Sequence, residues 1–418
     1  MMSPLFRRIA LLLLLPCLAA CTTGATRPTA AAAPTAAPPL LLVSIDGLRA
    51  DALGRGDTPV LDRLARQGVQ AEWMQPSYPV LTFPNHYTLV TGLRPDRHGV
   101  VHNSMKDTGL GQFRVADAQA ARVAGWWQAE PLWTSAERAG IPTAVWAWPG
   151  ATAVRDGVRP RYLQAFDAGI PLQARVERIA GWMLAPEGPR PRLAAVYLEQ
   201  VDGAGHDNGP HAPATRAAIR AVDAAIGQLL ARLQAAGVEA DVVVVSDHGM
   251  ADTPADQFIA VEDIASREEA EVVSVGQVIG LVPHPAHARA LHARLPGRHA
   301  HYQCWEKGAI PARLHYGRHP RVPPIVCQMD EGWNALGRDT LARRIADGAL
   351  DRGAHGYDPE LPSMRAVFLA HGPSFREGVK LPPFDNVELH PLLARLLGLD
   401  LPRGDGDPRA LAPALRAP

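Results

Sequence analysis

DVVVVSDHGM, residues 241–250, runs from a block of valines directly into an aspartate and a histidine. Four consecutive valines are typical of a strand buried on both faces, as in a parallel sheet covered by helices. Four other apolar runs share this character: LLLVSI (40–45), TAVWAW (143–148), LAAVYLE (193–199) and AVFLAHG (366–372). Together the five runs predict the strands of one central sheet.

Helical patterns alternate with these strands. The longest, PATRAAIRAVDAAIGQLLARLQAAG, places apolar residues at helical spacing from Ile219 to Leu233 and ends at Gly237, a good terminator. This alternation predicts an α/β sandwich, with a mostly parallel central sheet and helices on both faces. Residues 251–335, approximately, interrupt it and are rich in His and Pro, which predicts a small cap inserted into the main domain.

The charge balance excludes one broad class of function. The chain has 418 residues, with 42 Lys and Arg against 42 Asp and Glu. A nucleic-acid platform or a polybasic membrane patch would require an excess of basic residues. We therefore expect neither of these two kinds of surface, while the oligomeric state stays open.

The N-terminus has the features of an export signal. Arg7 and Arg8 precede an apolar run that is too short to span a membrane. The following residues, Leu18 to Cys21, resemble a bacterial lipoprotein box, so residues 1–21 are predicted to be a lipoprotein signal with Cys21 lipidated. An ordinary signal cleaved nearby is the alternative.

The rest of the domain plan follows from composition. Residues 22–39 are rich in Ala, Pro and Thr, which is typical of a flexible tether. A catalytic domain is expected over 40–402 and a tail over 403–418. Because Thr22 gives no inner-membrane retention signal of the aspartate type, we expect a periplasmic protein anchored to the outer membrane only through its lipid.

The cysteines divide into two pairs. Cys17 and Cys21 belong to the signal, which leaves Cys304 and Cys327 in the mature chain. Export places these two in an oxidising compartment, so a disulfide between them is predicted. Two free buried thiols are the alternative.

Several predicted strands are followed directly by residue types that bind metals. Asp46 follows the first strand, Asp202 and His206 follow the third, and Asp247 and His248 follow the fourth. A further candidate, His355, lies in a later loop. Taken singly, these have ordinary explanations as turns or surface pairs. In open α/β sheets, however, ligands gather beyond the carboxyl ends of the strands, which favours a common site.

The number of candidates indicates two ions. Six ligands exceed the need of one tetrahedral zinc, whereas two zinc ions with three protein ligands each would retain an open position apiece. Two such ions would clamp the attacking and leaving oxygens of a phosphoryl transfer.

A further candidate lies in LTFPNHYTLVTGLRPDRHGVVHN, residues 81–103. Thr82 opens a predicted helix, where its hydroxyl is expected either to cap the helix or to perform chemistry at the positive end of the helix dipole. The stretch alone does not decide between the two.

Taken together, these motifs resemble those of the nucleotide pyrophosphatase/phosphodiesterase family of the alkaline phosphatase superfamily. The similar pieces occur in family order from about residue 40 to 400: SIDGLRADAL, TFPNHYTLVTGLRPDRHGVVHN, YLEQVDGAGHDNGP, SDHGM, GAHGYDPELPSMRAVFLAHGPSF and NVELHPLLARLLGL. The resemblance implies an alkaline-phosphatase-like fold.

The resemblance also implies a role for each candidate. One zinc is expected on Asp46, Asp247 and His248 with the Thr82 oxygen as fourth ligand, and the other on Asp202, His206 and His355. Thr82 is implied as the nucleophile. Asn103 is similar to the asparagine that contacts a non-bridging phosphoryl oxygen, and Phe83 to the aromatic residue that stacks on the base. Val201 departs from the proline that is common in the family.

The implied activity is hydrolysis of nucleotide phosphodiester or phosphoanhydride bonds through a covalent phosphothreonine. Two alternatives on the same fold stay open: a lysophospholipid or choline-type phosphodiesterase, and an alkaline-phosphatase-type phosphomonoesterase. A catalytically silent binding protein is not expected, because all six ligands and the nucleophile are present. Arg94 and Arg97 would serve a monoesterase as a phosphate clamp, but a position on a turn is expected for both.

Overall fold

The five apolar runs form strands in the computed structural model, which describes residues 37–185 and 188–417. The predicted signal, Cys21 and most of the tether lie outside the described residues. The strands in chain order are β1 Leu40–Ile45, β2 Val69–Ala71, β3 Met74–Gln75, β4 Ser104–Asp107, β5 Gly111–Arg114, β6 Thr143–Trp146, β7 Tyr162–Gln164, β8 Leu193–Leu198, β9 Asp241–Val245, β10 Ala251–Asp252, β11 Phe258–Ala260, β12 Ala270–Ser274, β13 Val278–Pro283, β14 Gly297–Arg298, β15 Tyr302–Glu306, β16 Ile325–Met329, β17 Asn334–Leu336, β18 Gly353–Ala354, β19 Phe368–His371, β20 Val379–Leu381 and β21 Phe384–Asp385.

The α-helices fall between these strands. In chain order they are α1 Pro59–Gln67, α2 Thr82–Thr91, α3 Pro95–His98, α4 Leu132–Arg138, α5 Leu172–Leu184, α6 Gln200–Asn208, α7 Pro213–Ala235, α8 Ala288–Arg294, α9 Arg338–Ala346 and α10 Leu389–Leu397. The helices α1, α5, α6 and α7 pack against one another as one group, and α2, α4 and α10 pack together as another. These groups cover the two faces of the central sheet, so the predicted α/β sandwich is confirmed.

The central sheet has eight strands in the order β20-β2-β19-β9-β1-β8-β6-β7. The strand β1 lies at its centre and is buried along its whole length. It pairs in parallel with β8 on one side and β9 on the other. The carboxyl ends of these three strands therefore meet at one edge of the sheet.

One strand of the sheet runs against the others. Although AVFLAHG was expected to join the parallel set, β19 pairs antiparallel with both β9 and β2. The chain reaches β19 directly from the loop that follows β18, which lies at the carboxyl edge. It must therefore run back in the opposite direction.

The inserted region has a sheet of its own. Five antiparallel strands lie in the order β12-β13-β16-β15-β14 and, with α8, enclose a second hydrophobic cluster. Cys304 and Cys327 face each other on β15 and β16 and are joined by a disulfide. Both are fully buried, so this cross-link lies inside the cap.

The segment expected to be a tail packs against the domain. Ala414 is buried, and Leu415 forms a β-bridge with Phe375. Within the described residues, no helix combines the length and apolar character that a membrane crossing requires.

Candidate active site

The three candidate aspartates meet at the carboxyl edge of the sheet. Asp46 follows β1, Asp247 follows β9, and Asp202 lies in the first turn of α6, just after β8. Gly47 allows the close approach of these elements, because its φ is 69° and a Cβ there would lie 3.1 Å from the Cα of Asp202. The parallel pairing of neighbouring strands thus converts three distant sequence positions into one cluster.

One group of candidate ligands surrounds His248. Its Nε2 lies 3.0 Å from Asp247 Oδ2 and 3.3 Å from Asp46 Oδ1. The Thr82 hydroxyl oxygen lies 3.4 Å from the same nitrogen. The structure therefore brings together the four residues expected at one ion.

The second group lies beside the first. The Nε2 atoms of His206 and His355 are 3.4 and 3.6 Å from Asp202 Oδ1. The ring of His355 stacks on that of His248, with the ring centroids 3.6 Å apart. The tightest grouping of ligand atoms here contains Asp202, His355 and His248, all within 4.8 Å, with His206 at its margin. The two groups therefore adjoin at His248.

The three histidines are oriented in the same way. In each, Nδ1 contacts a backbone carbonyl: Gly353 for His206 at 2.8 Å, Gly249 for His248 at 2.8 Å, and Val80 for His355 at 2.9 Å. A carbonyl only accepts hydrogen bonds, so Nδ1 carries a proton, and in the neutral ring Nε2 keeps a lone pair. These lone pairs face the carboxylates, as metal-ligating histidines require.

The carboxylates have oxygens that lack any partner within the protein. Asp46 Oδ1, Asp202 Oδ1 and Asp247 Oδ2 are buried and accept no hydrogen bond from the described residues. A buried, unpaired carboxylate oxygen is costly unless a cation or donor compensates it. Oxygen and imidazole donors at this density fit zinc.

Burial separates the pKa values of these groups. It raises the pKa of Asp46 well above the usual range, and repulsion from Asp247 and Asp202 adds to the effect. For Asp247, burial also acts upwards, but attraction to the neighbouring His248 and His86 outweighs it and holds the pKa well below the usual range. Burial, together with His248 and His206, lowers the pKa of His355, which keeps this ligand neutral.

Thr82 is not the cap of its helix. Leu81 occupies the N-cap position of α2, and Thr82 is the first helical residue, with no capping hydrogen bond from its side chain. Its hydroxyl points instead towards His248, and the residue is only 9% exposed. The capping interpretation is therefore wrong, because the extended backbone of Leu81 sets the start of the helix one residue earlier.

Asn103 lies beside the first turn of α2. Its side-chain oxygen accepts a hydrogen bond from the Phe83 backbone N–H at 3.0 Å, which places the amide nitrogen on the other side of the group. Both residues line the same cleft as Thr82. An amide nitrogen here is available to donate to a bound oxygen anion.

The cleft has a volume of about 570 Å³, within the range of small-molecule sites. Its walls are mainly apolar, and the candidate ligands that line it are Asp46, Thr82, Asp202, His206 and His355. Phe83 packs against Trp127 on one wall, while Phe166 is 54% exposed and packs against Tyr197. Tyr162, another aromatic candidate, stacks on Trp182 instead.

Sequence reasoning missed some features of the cleft. Trp148 lines its wall, and the Tyr197 hydroxyl donates to Asp46 Oδ2 at 2.6 Å. Arg122 is the only Lys or Arg among the described residues of the lining. No local pattern marks them, because their place depends on loops that meet across the sheet.

Other candidates lie elsewhere. Arg94 pairs with Asp385 at 2.5 Å and Arg97 with Asp405 at 2.5 Å, and neither lines the cleft. The cap histidines contribute to no group of possible metal ligands in the part of the chain that the structure describes.

Comparison with known proteins gives a consistent result. A family profile described as type I phosphodiesterase / nucleotide pyrophosphatase matches residues 40–358. Ectonucleotide pyrophosphatase/phosphodiesterase family member 3 of Rattus norvegicus is 31% identical over 91% of this chain and 44% of its own length, so the chain spans less than half of that relative. An uncharacterized pyrophosphatase/phosphodiesterase of Schizosaccharomyces pombe is 33% identical over 90% of this chain and 80% of its own.

Solved structures are similar over the same region. Murine ectonucleotide pyrophosphatase/phosphodiesterase 5 is 31% identical, covers 90% of this chain and all of its own, and has a TM-score of 0.84. Its inactive threonine-to-alanine variant, in complex with AMP, has a TM-score of 0.85 at 30% identity over 91% of this chain and 100% of that chain.

Proposed function

The chain belongs to the type I phosphodiesterase / nucleotide pyrophosphatase family, and on that premise we propose that it hydrolyses phosphodiester or phosphoanhydride bonds of nucleotides with two zinc ions and a phosphothreonine on Thr82. The observation that carries the proposal is the set of unpaired, buried oxygens on Asp46, Asp202 and Asp247 beside three oriented histidines and one hydroxyl.

The ligands divide between two ions. Asp46, Asp247 and His248, with the Thr82 oxygen, hold the ion beside the nucleophile, and Asp202, His206 and His355 hold the other. Bound zinc supplies Lewis acidity, which lowers the pKa of a hydroxyl or a water and stabilises charge on a leaving oxygen. Since His248 contacts both groups of carboxylates, its orientation matters to both ions.

The side chains of the cleft perform the remaining steps. The Thr82 oxygen attacks phosphorus in line, the bond to the leaving oxygen breaks, and water later cleaves the phosphothreonine. The Asn103 amide donates to a non-bridging oxygen while negative charge develops there. A relative that is inactive when one threonine becomes alanine supports this role for Thr82.

The walls of the cleft favour a nucleotide. Phe83, Phe166 and Tyr197 offer flat rings for a base, and the AMP bound by the murine relative supports that ligand class. A monoester would benefit from a guanidinium fork on its three free oxygens. Arg94 and Arg97, the two candidates for such a fork, are held in ion pairs away from the cleft, which leaves Arg122 as the single guanidinium in the described lining and favours the diester.

The test compares two substrates and two proteins. Wild-type protein should contain two zinc ions by elemental analysis and turn over bis(p-nitrophenyl) phosphate with a higher kcat/KM than p-nitrophenyl phosphate. Thr82→Ala should lose nearly all turnover, because it removes the nucleophile. It should retain zinc, because it removes only one of four ligands at one ion. Wild-type turnover by this variant, or a preference for the monoester, would contradict the proposal.

We also propose that the protein is an outer-membrane lipoprotein on the periplasmic side, with Cys21 lipidated and residues 22–39 as tether. Cys21→Ser should release the protein from the membrane fraction, and unchanged fractionation would refute the anchor.

A further inference from the structure

His86 is a fully buried polar residue that the proposed chemistry does not use. It lies one turn after Thr82 in α2, with its ring directed towards the end of β9. Its Nδ1 is 2.9 Å from the Thr82 carbonyl oxygen and 3.2 Å from Asp247 Oδ2. Its Nε2 is 2.8 Å from the Ser44 hydroxyl oxygen. One ring thus contacts the nucleophile's backbone, a candidate metal ligand and the central strand.

These contacts determine which nitrogen carries the proton. Both neighbours of Nδ1 are acceptors only, so Nδ1 carries a proton. Nε2 lies within hydrogen-bond distance of the Ser44 hydroxyl. The hydrogen bond of Nδ1 goes to the Thr82 carbonyl, while Asp247 Oδ2 stays in close contact but without a hydrogen bond. That oxygen therefore keeps its lone pairs for a cation.

The surroundings prevent the ring from turning. Trp148 and Tyr197 meet it edge to face, with ring centroids 5.2 and 4.9 Å away. The Trp148 indole N–H also donates to the His86 carbonyl oxygen at 3.1 Å. Since every side of the ring is occupied, packing holds the ring in one orientation, which keeps Nδ1 directed at its two neighbours.

We propose that His86 is a positioning residue that sets the separation between Thr82 and the Asp247 carboxylate. The inference rests on the proposed role of Thr82 as nucleophile and of Asp247 as a metal ligand. His86 touches neither substrate nor ion. It holds the first turn of α2, and with it the reacting hydroxyl, in register with the carboxylate at the end of β9.

The expected effect lies in kcat and in zinc affinity. A displacement of about 1 Å at a reacting group costs on the order of 100-fold in rate. Loss of a residue that orients a metal ligand typically costs about 10- to 100-fold in metal affinity. KM should change little, because His86 does not line the cleft.

Two substitutions distinguish the contribution of Nδ1 from that of Nε2. In His86→Asn the amide nitrogen can occupy the place of Nδ1, whereas in His86→Gln it reaches only the place of Nε2. Both remove the ring and its packing. We expect His86→Asn to retain most of the kcat for bis(p-nitrophenyl) phosphate and most of the zinc affinity, measured by competition with a chelator. His86→Gln should lose about 10- to 100-fold in both.

Ser44→Ala is the matched control, since it removes the contact at Nε2 and leaves both Nδ1 contacts. It should lower the melting temperature of the metal-free protein and leave kcat and zinc affinity at their wild-type values. A purely structural role for His86 would instead lower the melting temperature in all three variants without separating Asn from Gln in kcat or zinc affinity.

The outcomes are decisive in either direction. Equal kcat and zinc affinity in His86→Asn and His86→Gln would overturn the inference. If His86→Gln does not fold, loss of zinc affinity in both His86→Asn and Ser44→Ala would overturn it, because both keep a donor at the Nδ1 position. Failure of the proposed function would be recognised by a different result, namely wild-type turnover by Thr82→Ala.

Discussion

Acidification should destabilise this protein in part through His102, which is buried between the main domain and the cap. Its Nε2 contacts the Val278 carbonyl oxygen on β13 at 3.1 Å, and its Nδ1 accepts the Ser104 backbone N–H at 2.9 Å. Burial lowers the pKa of His102 to about 4. The perturbation that isolates this group is His102→Gln, which keeps an amide donor for Val278 and removes the titration.

The magnitude follows from the difference between folded and unfolded states. The unfolded histidine has a pKa of about 6.5, so between that value and about 4 only the unfolded state takes up the proton. Stability from this group is complete above pH 6.5 and is lost as the pH falls towards the folded pKa. At pH 4.5 the loss relative to pH 7.5 amounts to about 2.5 kcal/mol.

Urea unfolding of both metal-free proteins at pH 7.5 and pH 4.5 measures the effect. Wild type should be the more stable at pH 7.5, because the variant leaves the Ser104 N–H without its acceptor. That advantage should shrink by about 2.5 kcal/mol at pH 4.5. All other titrating groups, including His98 with a pKa of about 3, are common to both proteins and cancel. An equal stability gap at the two pH values would refute the reasoning.

Three further predictions concern the metal centre and the cap. His355→Ala and Asp247→Ala should each reduce the zinc content from two ions to one, by elemental analysis, and retention of both ions would contradict the ligand assignment. Asn103→Ala should slow bis(p-nitrophenyl) phosphate hydrolysis by about 100-fold with unchanged zinc content, since it removes a donor to developing charge; an unchanged kcat would exclude this role. Cys304→Ser with Cys327→Ser opens a loop of 23 residues and should lower the free energy of unfolding by about 3 kcal/mol, measured in urea without reductant, whereas stability equal to wild type would argue against it.

The sequence predicted those parts of the site that depend on local order. Asp46, Asp202 and Asp247 follow apolar strands directly, and parallel pairing brings such strand ends together whatever the loops do. The interval of four residues between Asp202 and His206 likewise places both on one side of α6. The convergence of these residues could therefore be inferred from the sequence alone.

Other features depend on contacts that no local pattern records. The hydroxyl of Tyr197 meets Asp46 across 151 positions, and His86 meets Ser44 across 42. The direction of β19 depends on where the preceding loop lies, and the first residue of α2 depends on the backbone of Leu81. These features follow from tertiary packing, which explains why the capping interpretation of Thr82 was wrong.

The cluster of aspartates shows how the fold supports an unfavourable site. Asp46 and Asp247 are almost fully buried, and in the described chain neither forms an ion pair with Lys or Arg. Among the described residues only Tyr197 and the Gly47 N–H donate to them, so burial and mutual repulsion raise the pKa of Asp46 and folding without a cation is disfavoured locally. The apolar strands β1 and β9 directly beneath supply the compensating burial. A cation that binds only the folded state would relieve this repulsion and add stability in proportion to the logarithm of its concentration relative to Kd. The same unpaired oxygens that weaken the metal-free protein are therefore those that would bind a cation.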